Sequence, residues 1–243
     1  MIRVVVLTGA GISAESGLKT FRAEDGLWEK HPIEEVATPE GYQRNPQLVR
    51  EFYNARWQQL ATADVEPNPA HRALAQLEQA PEIELTLVTQ NIDNLHERGG
   101  SHHVVHMHGE LAKARCPSSQ QVFPMAEPFS EQALCTCCMP GEILRPHVVW
   151  FGEMPLGLDR VYHALSHCDL FVAIGTSGTV YPAAGFVDMA SQGHAKTLEV
   201  NIEPTKVGSH FQYSLMGKAS ETVPQLVERL LSGQCVSEFA TPR

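Results

Sequence analysis

The chain has no apolar run approaching the roughly 18 residues that a membrane-spanning helix needs. Its short N-terminal apolar stretch leads straight into a glycine loop, which is not how a signal peptide ends. No membrane partner is expected, and the expected location is cytoplasmic. Basic charge is also scarce: 18 Lys and Arg against 28 Asp and Glu leave a net charge of −10. Direct nucleic-acid binding is not expected from that balance, because phosphate neutralisation dominates such affinity. Cysteine is sparse outside one place. Of six, four fall between Cys116 and Cys138, while Cys168 and Cys235 stand alone. In a reducing compartment that clustering argues for a metal and against a disulfide framework. The rest is ordinary for a soluble globular enzyme: 243 residues, 43% hydrophobic and 19% charged, enough for one large domain or a large one carrying a small one.

Val4-Val5-Val6-Leu7 reads as a strand and runs directly into Thr8-Gly9-Ala10-Gly11-Ile12-Ser13-Ala14. Gly9, Gly11 and Ala14 have the G-x-G-x-x-(G/A) spacing that ends a strand and opens a helix over a pyrophosphate. Small residues there make the turn, let backbone amides approach phosphate, and let the helix sit against the strand. A further absence qualifies this. An ordinary dinucleotide fold has a second strand ending in an acidic residue about 20 positions on, and here Thr20 to Trp28 holds no apolar run. An insertion after the first strand is therefore expected, giving a modified Rossmann fold.

Further along, Pro46 to Trp57 predicts a helix capped by Asn45, and Ala70 to Gln79 one capped near Asn68. Strands are expected over Ile83–Val88, Val104–Met107, Asp169–Ile174 and Lys196–Ile202, an irregular segment from Glu110 to Arg145, and a last helix from about Thr222 to Leu231. The polar tail after Ser232 is expected to fray. Alternating strands and helices mean an α/β fold, a Rossmann-like parallel sheet with helices on both faces. Ligands of such sheets bind beyond the carboxyl ends of the strands. Gly9-Ala10-Gly11, Gln90-Asn91-Ile92-Asp93, His108, Gly175-Thr176-Ser177 and Asn201-Ile202-Glu203 all follow strand ends and should meet in one crevice.

Gln90, Asn91 and Asp93 offer amides and a carboxylate, although Asn and Asp also serve ordinary turns. His108 suits a general base, its unperturbed pKa lying near 6.5, and a structural histidine is the bland alternative. With His102, His103 and His106 nearby, a histidine metal cluster is a further reading, though no carboxylate stands at useful spacing.

Gly9-Ala10-Gly11-Ile12-Ser13 with Ser16-Gly17, then Thr89-Gln90-Asn91-Ile92-Asp93, His108-Gly109 and Gly175-Thr176-Ser177, resemble in that order the sirtuin family of NAD-dependent protein-lysine deacylases. The resemblance runs from about residue 4 to 231 and is nearest to bacterial members that also remove acidic acyl groups. It implies a large NAD-binding Rossmann-like domain (1–24, 66–109, 146–233), a small domain from a helical and a zinc-ribbon-like insertion (25–65, 110–145), and a tail (234–243). It implies NAD consumed as co-substrate, acyl-lysine proteins or peptides as partners, and nicotinamide and O-acyl-ADP-ribose as products. His108 would act as base through the ribose hydroxyls, with Asn91 the other catalytic residue. Cofactor contacts would come from Gly9, Ala10, Gly11, Ala14, Phe21, Arg22, Trp28, Gln90, Asn91, Ile92, Asp93, Gly175, Thr176, Ser177, Asn201, Ile202, Glu203 and Ala219. Leu18-Lys19-Thr20 stands where most members have Ile-Pro-Asp.

Tyr53 and Arg56, at i and i+3, share a helix face, and a phenol beside a guanidinium can receive a carboxylate. They match the motif of succinyl- and malonyl-lysine removers. Val148 to Glu153 resembles the segment on which the acyl-lysine peptide adds as a strand, through Val149, Phe151 and Gly152. For structural zinc, Cys135 and Cys138 make one Cys-x-x-Cys pair. The other has Cys116, with Ser119 in place of its second cysteine. Cys137 or water would then be the fourth ligand, and a weakened or empty site is the alternative. A mono-ADP-ribosyltransferase using the same cleft is the rival activity. A non-catalytic NAD-binding module is a second rival.

Overall fold

A computed structural model describes residues 1–18, 27–28, 31–125, 127–205 and 207–243. Strand β1 (Ile2–Thr8) buries Val4, Val5, Val6 and Leu7, none more than 2% exposed. The helix that the glycine loop opens is a 3-10 helix, Ala10–Ser16. Next come a short antiparallel pair, β2 (Leu27–Trp28) with β3 (His31–Pro32), and helices α1 (Ile33–Val36), α2 (Pro39–Arg44) and α3 (Pro46–Leu60). Pro39 and Pro46 start helices here, where proline's missing amide costs nothing, and the side chains of Thr38 and Asn45 accept the amides of Gly41 and Leu48. Helix α4 (Pro69–Gln79) opens on a capping box: Asn68 accepts from Ala70 and donates its own amide to His71.

Strand β4 (Ile83–Thr89), helix α5 (Leu95–Arg98) and strand β5 (Val104–His106) extend the first sheet. The stretch expected to be irregular runs mostly as turns and loops, but it carries a small second, antiparallel sheet of β6 (Gly109–Arg115), β7 (Val122–Pro124) and β8 (Arg145–Val148), ordered β7-β6-β8. Then follow α6 (Leu158–Leu165), β9 (Leu170–Ile174), α7 (Phe186–Gln192), β10 (Lys196–Asn201), β11 (Tyr213–Met216) and α8 (Ala219–Leu231). Helix α8 begins three residues before its expected start, and α6, α7 and β11 were not foreseen.

The large sheet runs β12-β11-β10-β9-β1-β4-β5, where β12 is Thr241–Pro242; it is parallel except between β12 and β11, and Val4 stands opposite both Leu85 and Leu170. Successive side chains of a strand face opposite ways. Val4, Val6, Val172 and Ile174 therefore pack with α4 and α8, while Val5, Leu7, Phe171 and Ala173 pack with α6 and α7. Each such aliphatic side chain contributes roughly 1.5–3 kcal/mol when fully buried. A third cluster joins Val36, Phe52 and Tyr53 of the helical insertion to Leu111, Cys116, Leu144 and Trp150, so the two insertions bury one another's apolar surface. No helix among the described residues is long and apolar enough to cross a membrane.

The expectation of a frayed tail is wrong. A 3-10 turn, Val236–Glu238, leads into β12 (Thr241–Pro242), which pairs antiparallel with β11, and Val236 and Ala240 are buried in the main core. Arg243 reaches back to the buried carboxylate of Glu199 at 2.6 Å. A non-local ion pair and strand pairing hold the tail, and polar composition conceals both.

Candidate active site

Strand β1 has β4 on one side and β9 on the other, so the chain's path reverses there and leaves a crevice beyond the strands' carboxyl ends. A cleft of about 800 Å³ occupies it. The strand-end loops expected to converge do so: Gly9, Ala10, Gly11, Ala14, Gln90, Asn91, Ile92, Asp93, His108, Gly175, Thr176, Ser177, Asn201, Ile202 and Glu203 all line it, with Trp28, Arg56, Val149, Phe151 and Gly152. Phe21 and Arg22 lie outside the described residues. Tyr53 and Ala219 do not line the cleft: Tyr53 is buried in the insertion core, and Ala219 packs in the main core at the start of α8.

The two glycine loops are pressed together. A Cβ on Gly11 would lie 2.7 Å from Gly175 Cα, and one on Gly175, whose φ is +59°, would lie 2.5 Å from Ile12 N. Side chains at these positions would force the loops apart, so glycine is what lets the two backbones meet and form one cradle at the strand ends, which a phosphate can approach. Hydrogen bonds stitch the loops across the cleft. Gly11 N donates to Gly175 O at 2.8 Å, Gln90 Nε2 to Thr176 Oγ1 at 3.0 Å, and Asn201 Nδ2 to Thr176 O at 2.9 Å.

Beneath the cradle lies a polar network in which sequence reasoning did not place Ser13, His71 or His96. Asn91 Nδ2 donates to Gly9 O and Ser13 Oγ, while Ser13 donates to Asp93 Oδ2 and Leu95 N to Asp93 Oδ1. Burial raises the Asp93 pKa from its ordinary value, and the Leu95 and Ser13 donors counter it. His71 Nδ1 accepts from Asn68 N, so its proton sits on Nε2, 3.4 Å from Ser13 Oγ. His96 Nε2 lies 2.9 Å from Thr8 Oγ1. Burial lowers His71 to about 4 and His96 well below its ordinary value, so both are neutral near pH 7. The one local signal was the Asn68–His71 capping box, which α4's start already contained.

His108 Nδ1 lies 2.9 Å from the carbonyl oxygen of Gln90, which can only accept, so Nδ1 carries the proton and Nε2 keeps its lone pair. Burial lowers the His108 pKa, partly opposed by the Gln90 carbonyl. The ring is thus a neutral base at pH 7. His106, two residues earlier, contacts the next carbonyl: its Nδ1 is 3.4 Å from Asn91 O, and its Nε2 is 2.7 Å from Glu97 Oε1. The histidine metal cluster does not form. His103 Nδ1 is taken by Glu78 and His106 by Glu97, and among the described residues the four cysteines are the only group of three or more such side chains placed to hold a metal ion.

Arg56 lies over the Phe52 ring, 3.8 Å from its centroid, and donates to Phe52 O at 2.7 Å. The Tyr53 hydroxyl accepts from Trp150 Nε1 at 3.0 Å. Burial raises the Tyr53 pKa, so the phenol stays protonated. Trp150 is itself fixed by Arg145, whose guanidinium sits 3.4 Å from its ring, and by a backbone bond to Glu153.

Cys116, Cys135, Cys137 and Cys138 bring four sulfurs within 4.8 Å of one another, with Cys116–Cys138 at 3.6 Å and Cys137–Cys138 at 3.9 Å. Zn–S bonds of about 2.3 Å put tetrahedral thiolates roughly 3.8 Å apart, so this donor set fits zinc. Cys137 therefore joins the three cysteines expected as ligands. Ser119 Oγ lies 2.9 Å from Cys137 Sγ, and Ser119 N and Glu142 N donate to Cys116 and Cys135.

Comparison with known proteins agrees with this geometry. The Sir2 family model matches residues 9–182. The chain belongs to the Sir2 family. Among its relatives is a Shewanella oneidensis protein named NAD-dependent protein deacylase, 61% identical over 233 residues and 96% of each chain. A Sir2 homologue–NAD complex superposes with a TM-score of 0.84 at 39% identity, over 95% of this chain and 90% of the other. The structure of Sir2Af2 bound to a myristoylated histone peptide does so at 0.72 and 35%, over 95% and 93%.

Proposed function

We propose that this Sir2 family member is an NAD-dependent protein-lysine deacylase that removes acetyl, succinyl and malonyl groups and consumes NAD as co-substrate. The observation that carries the reading is His108, a buried neutral imidazole held through Nδ1, on the same cleft as the closely packed Gly11 and Gly175 loops and the Asn91–Asp93 pair. NAD bound here would supply a nicotinamide–ribose bond to break, and acyl-lysine would supply the acyl group that passes to the ribose. Water would release the free lysine, so that the products are nicotinamide, lysine and O-acyl-ADP-ribose. The chain's own residues then have defined tasks. The Gly9–Ala14 and Gly175–Ser177 loops offer amides to the phosphates, and Asn201 to Glu203 form the far wall. Asn91 holds Gly9 O and Ser13 through its nitrogen, which leaves its oxygen for the cleft. His108 Nε2 takes a proton from a ribose hydroxyl. Covering the crevice excludes water, which would otherwise hydrolyse NAD without deacylation.

The Val149–Gly152 segment is the edge on which an acyl-lysine peptide would lie. Arg56, which lines the cleft, is the group that meets an acidic acyl chain. Tyr53 lies behind it in the insertion core, its hydroxyl accepting from Trp150. The four thiolates would hold zinc in a structural role. All six cysteines are unpaired, which favours the cytoplasm as the setting.

Matched acetyl-, malonyl- and succinyl-lysine peptides, assayed with and without NAD and with mass analysis of products, test the reading. Arg56→Met should lower desuccinylation by roughly 10- to 150-fold more than deacetylation, the effect of losing one hydrogen bond to a charged group. Equal losses on both peptides would remove Arg56 from the carboxylate site. Label from NAD retained on protein, without O-acyl-ADP-ribose, would make the enzyme an ADP-ribosyltransferase instead.

A further inference from the structure

We propose that His106 is a positioning residue that works as a buried imidazolium, clamping the Asn91 carbonyl and so aligning the Asn91–Asp93 segment for turnover. Both ring nitrogens face groups that only accept. Nδ1 meets the Asn91 carbonyl at 3.4 Å, and Nε2 meets the Glu97 carboxylate at 2.7 Å. A neutral imidazole has one N–H and can serve one of these; the doubly protonated ring serves both. The side chain is only 7% exposed, so water cannot readily replace either partner.

His106 and His108 thus hold consecutive carbonyls of one loop, those of Asn91 and Gln90. They do so in opposite protonation states. His108 has one acceptor and stays neutral as the base. His106 has two and carries charge. The charged groups around His106 support this from each neighbouring element: Glu97 on α5, Glu110 on β6, and Asp93 in the loop it clamps. Two groups oppose it: His96 on α5, which burial keeps neutral, and Lys113 on β6, whose ammonium pairs with Glu110 at 2.6 Å and acts on Glu97. Burial opposes the charge on His106, but the bond to Glu97 and the charges of Glu97 and Glu110 outweigh it and place the pKa above its ordinary 6.5.

The consequence is an alkaline limb. As pH rises through that raised pKa, the ring keeps the proton facing the Glu97 charge, and the Asn91 carbonyl loses its donor. The positive charge beside Asp93 goes with it. The kcat/KM for NAD should fall on that limb while the KM for acyl peptide stays unchanged.

This inference rests on reading the cleft as an NAD-dependent deacylase site, and the test separates the two. Wild-type protein with no NAD-dependent turnover would end that reading. Given turnover, kcat/KM for NAD is followed from pH 5.5 to 9.5 in wild type, Glu97→Gln and His106→Gln. Glu97→Gln should move the alkaline limb about one unit or more toward acid, as expected on removing an opposite charge at contact distance. His106→Gln should abolish the limb. Ring 15N signals of the folded wild type should show His106 doubly protonated at pH 6.5 and His108 singly protonated. A neutral His106 at that pH, or superimposable profiles for wild type and Glu97→Gln, would overturn the proposal, and both readouts stand even where His106→Gln proves too unstable to assay.

Discussion

Arg243→Met should destabilise the whole Rossmann-like sheet, although it alters the last residue of a polar tail. Glu199 is central in β10, and its side chain is 2% exposed. Its charge is met by Arg243 at 2.6 Å, and Thr205 donates its hydroxyl to the other oxygen. Gly208 makes the room: a Cβ there would fall 2.1 Å from Arg243 Nη1. Removing one partner of a buried ion pair costs about 3–5 kcal/mol, because the other charge is left without compensation. Arg243 is 18% exposed and Thr205 remains, which favours the low end, about 3 kcal/mol. For a chain of this size that corresponds to a Tm lower by about 6–12 °C. Thermal and urea unfolding measure it, with Glu199→Gln/Arg243→Met as the control. The double variant should recover part of the loss, since a buried amide costs less than a buried carboxylate. A change within about 0.5 kcal/mol for Arg243→Met, the range of exposed positions, would refute the argument and restore the frayed tail.

Two further outcomes follow from the site. Because burial holds the His108 pKa below 6.5, the base stays neutral through mildly acidic solution. Turnover should therefore persist below pH 6.5 and fall only as pH drops through that lowered value, and His108→Ala should lose at least about 100-fold in kcat. Full turnover in His108→Ala would remove the base from the reaction. The wild type should carry one zinc per chain, and Cys137→Ser should release it more readily to a chelator. Cys116→Ser, at a buried position, should also loosen the fold. Zinc held equally well by Cys137→Ser would give the fourth position to another ligand.

Which parts of this molecule could be read in advance depends on the range of the interactions behind them. Strands β1 and β9 were legible because strands covered on both faces become continuous apolar runs, and all five residues of β9 are buried. Helices α3 and α4 were legible because Asn45 and Asn68 cap them within three residues of sequence. The second sheet was not. Gly109–Arg115 is half polar, its near partner β7 is only three residues long, and its other partner β8 lies some thirty residues further on. Nor was the tail, which depends on Glu199.

The site divides along the same line. A parallel sheet forces its carboxyl ends together, so every strand-end loop named from the sequence lines the cleft whatever its side chains do. Spacing along one helix has no such power. Tyr53 and Arg56 do sit on neighbouring turns of α3, but i and i+3 say nothing of which side faces the core. Tyr53 turns inward because Trp28, Phe52 and Trp150 surround it with aromatic surface, and Trp150, from a segment almost a hundred residues away, supplies the donor its buried hydroxyl needs. The same reasoning accounts for His106 and His108. Alternation along a strand puts two histidines on one side, but only the packing of α5, through Glu97, gives one of them a second acceptor and hence a charge.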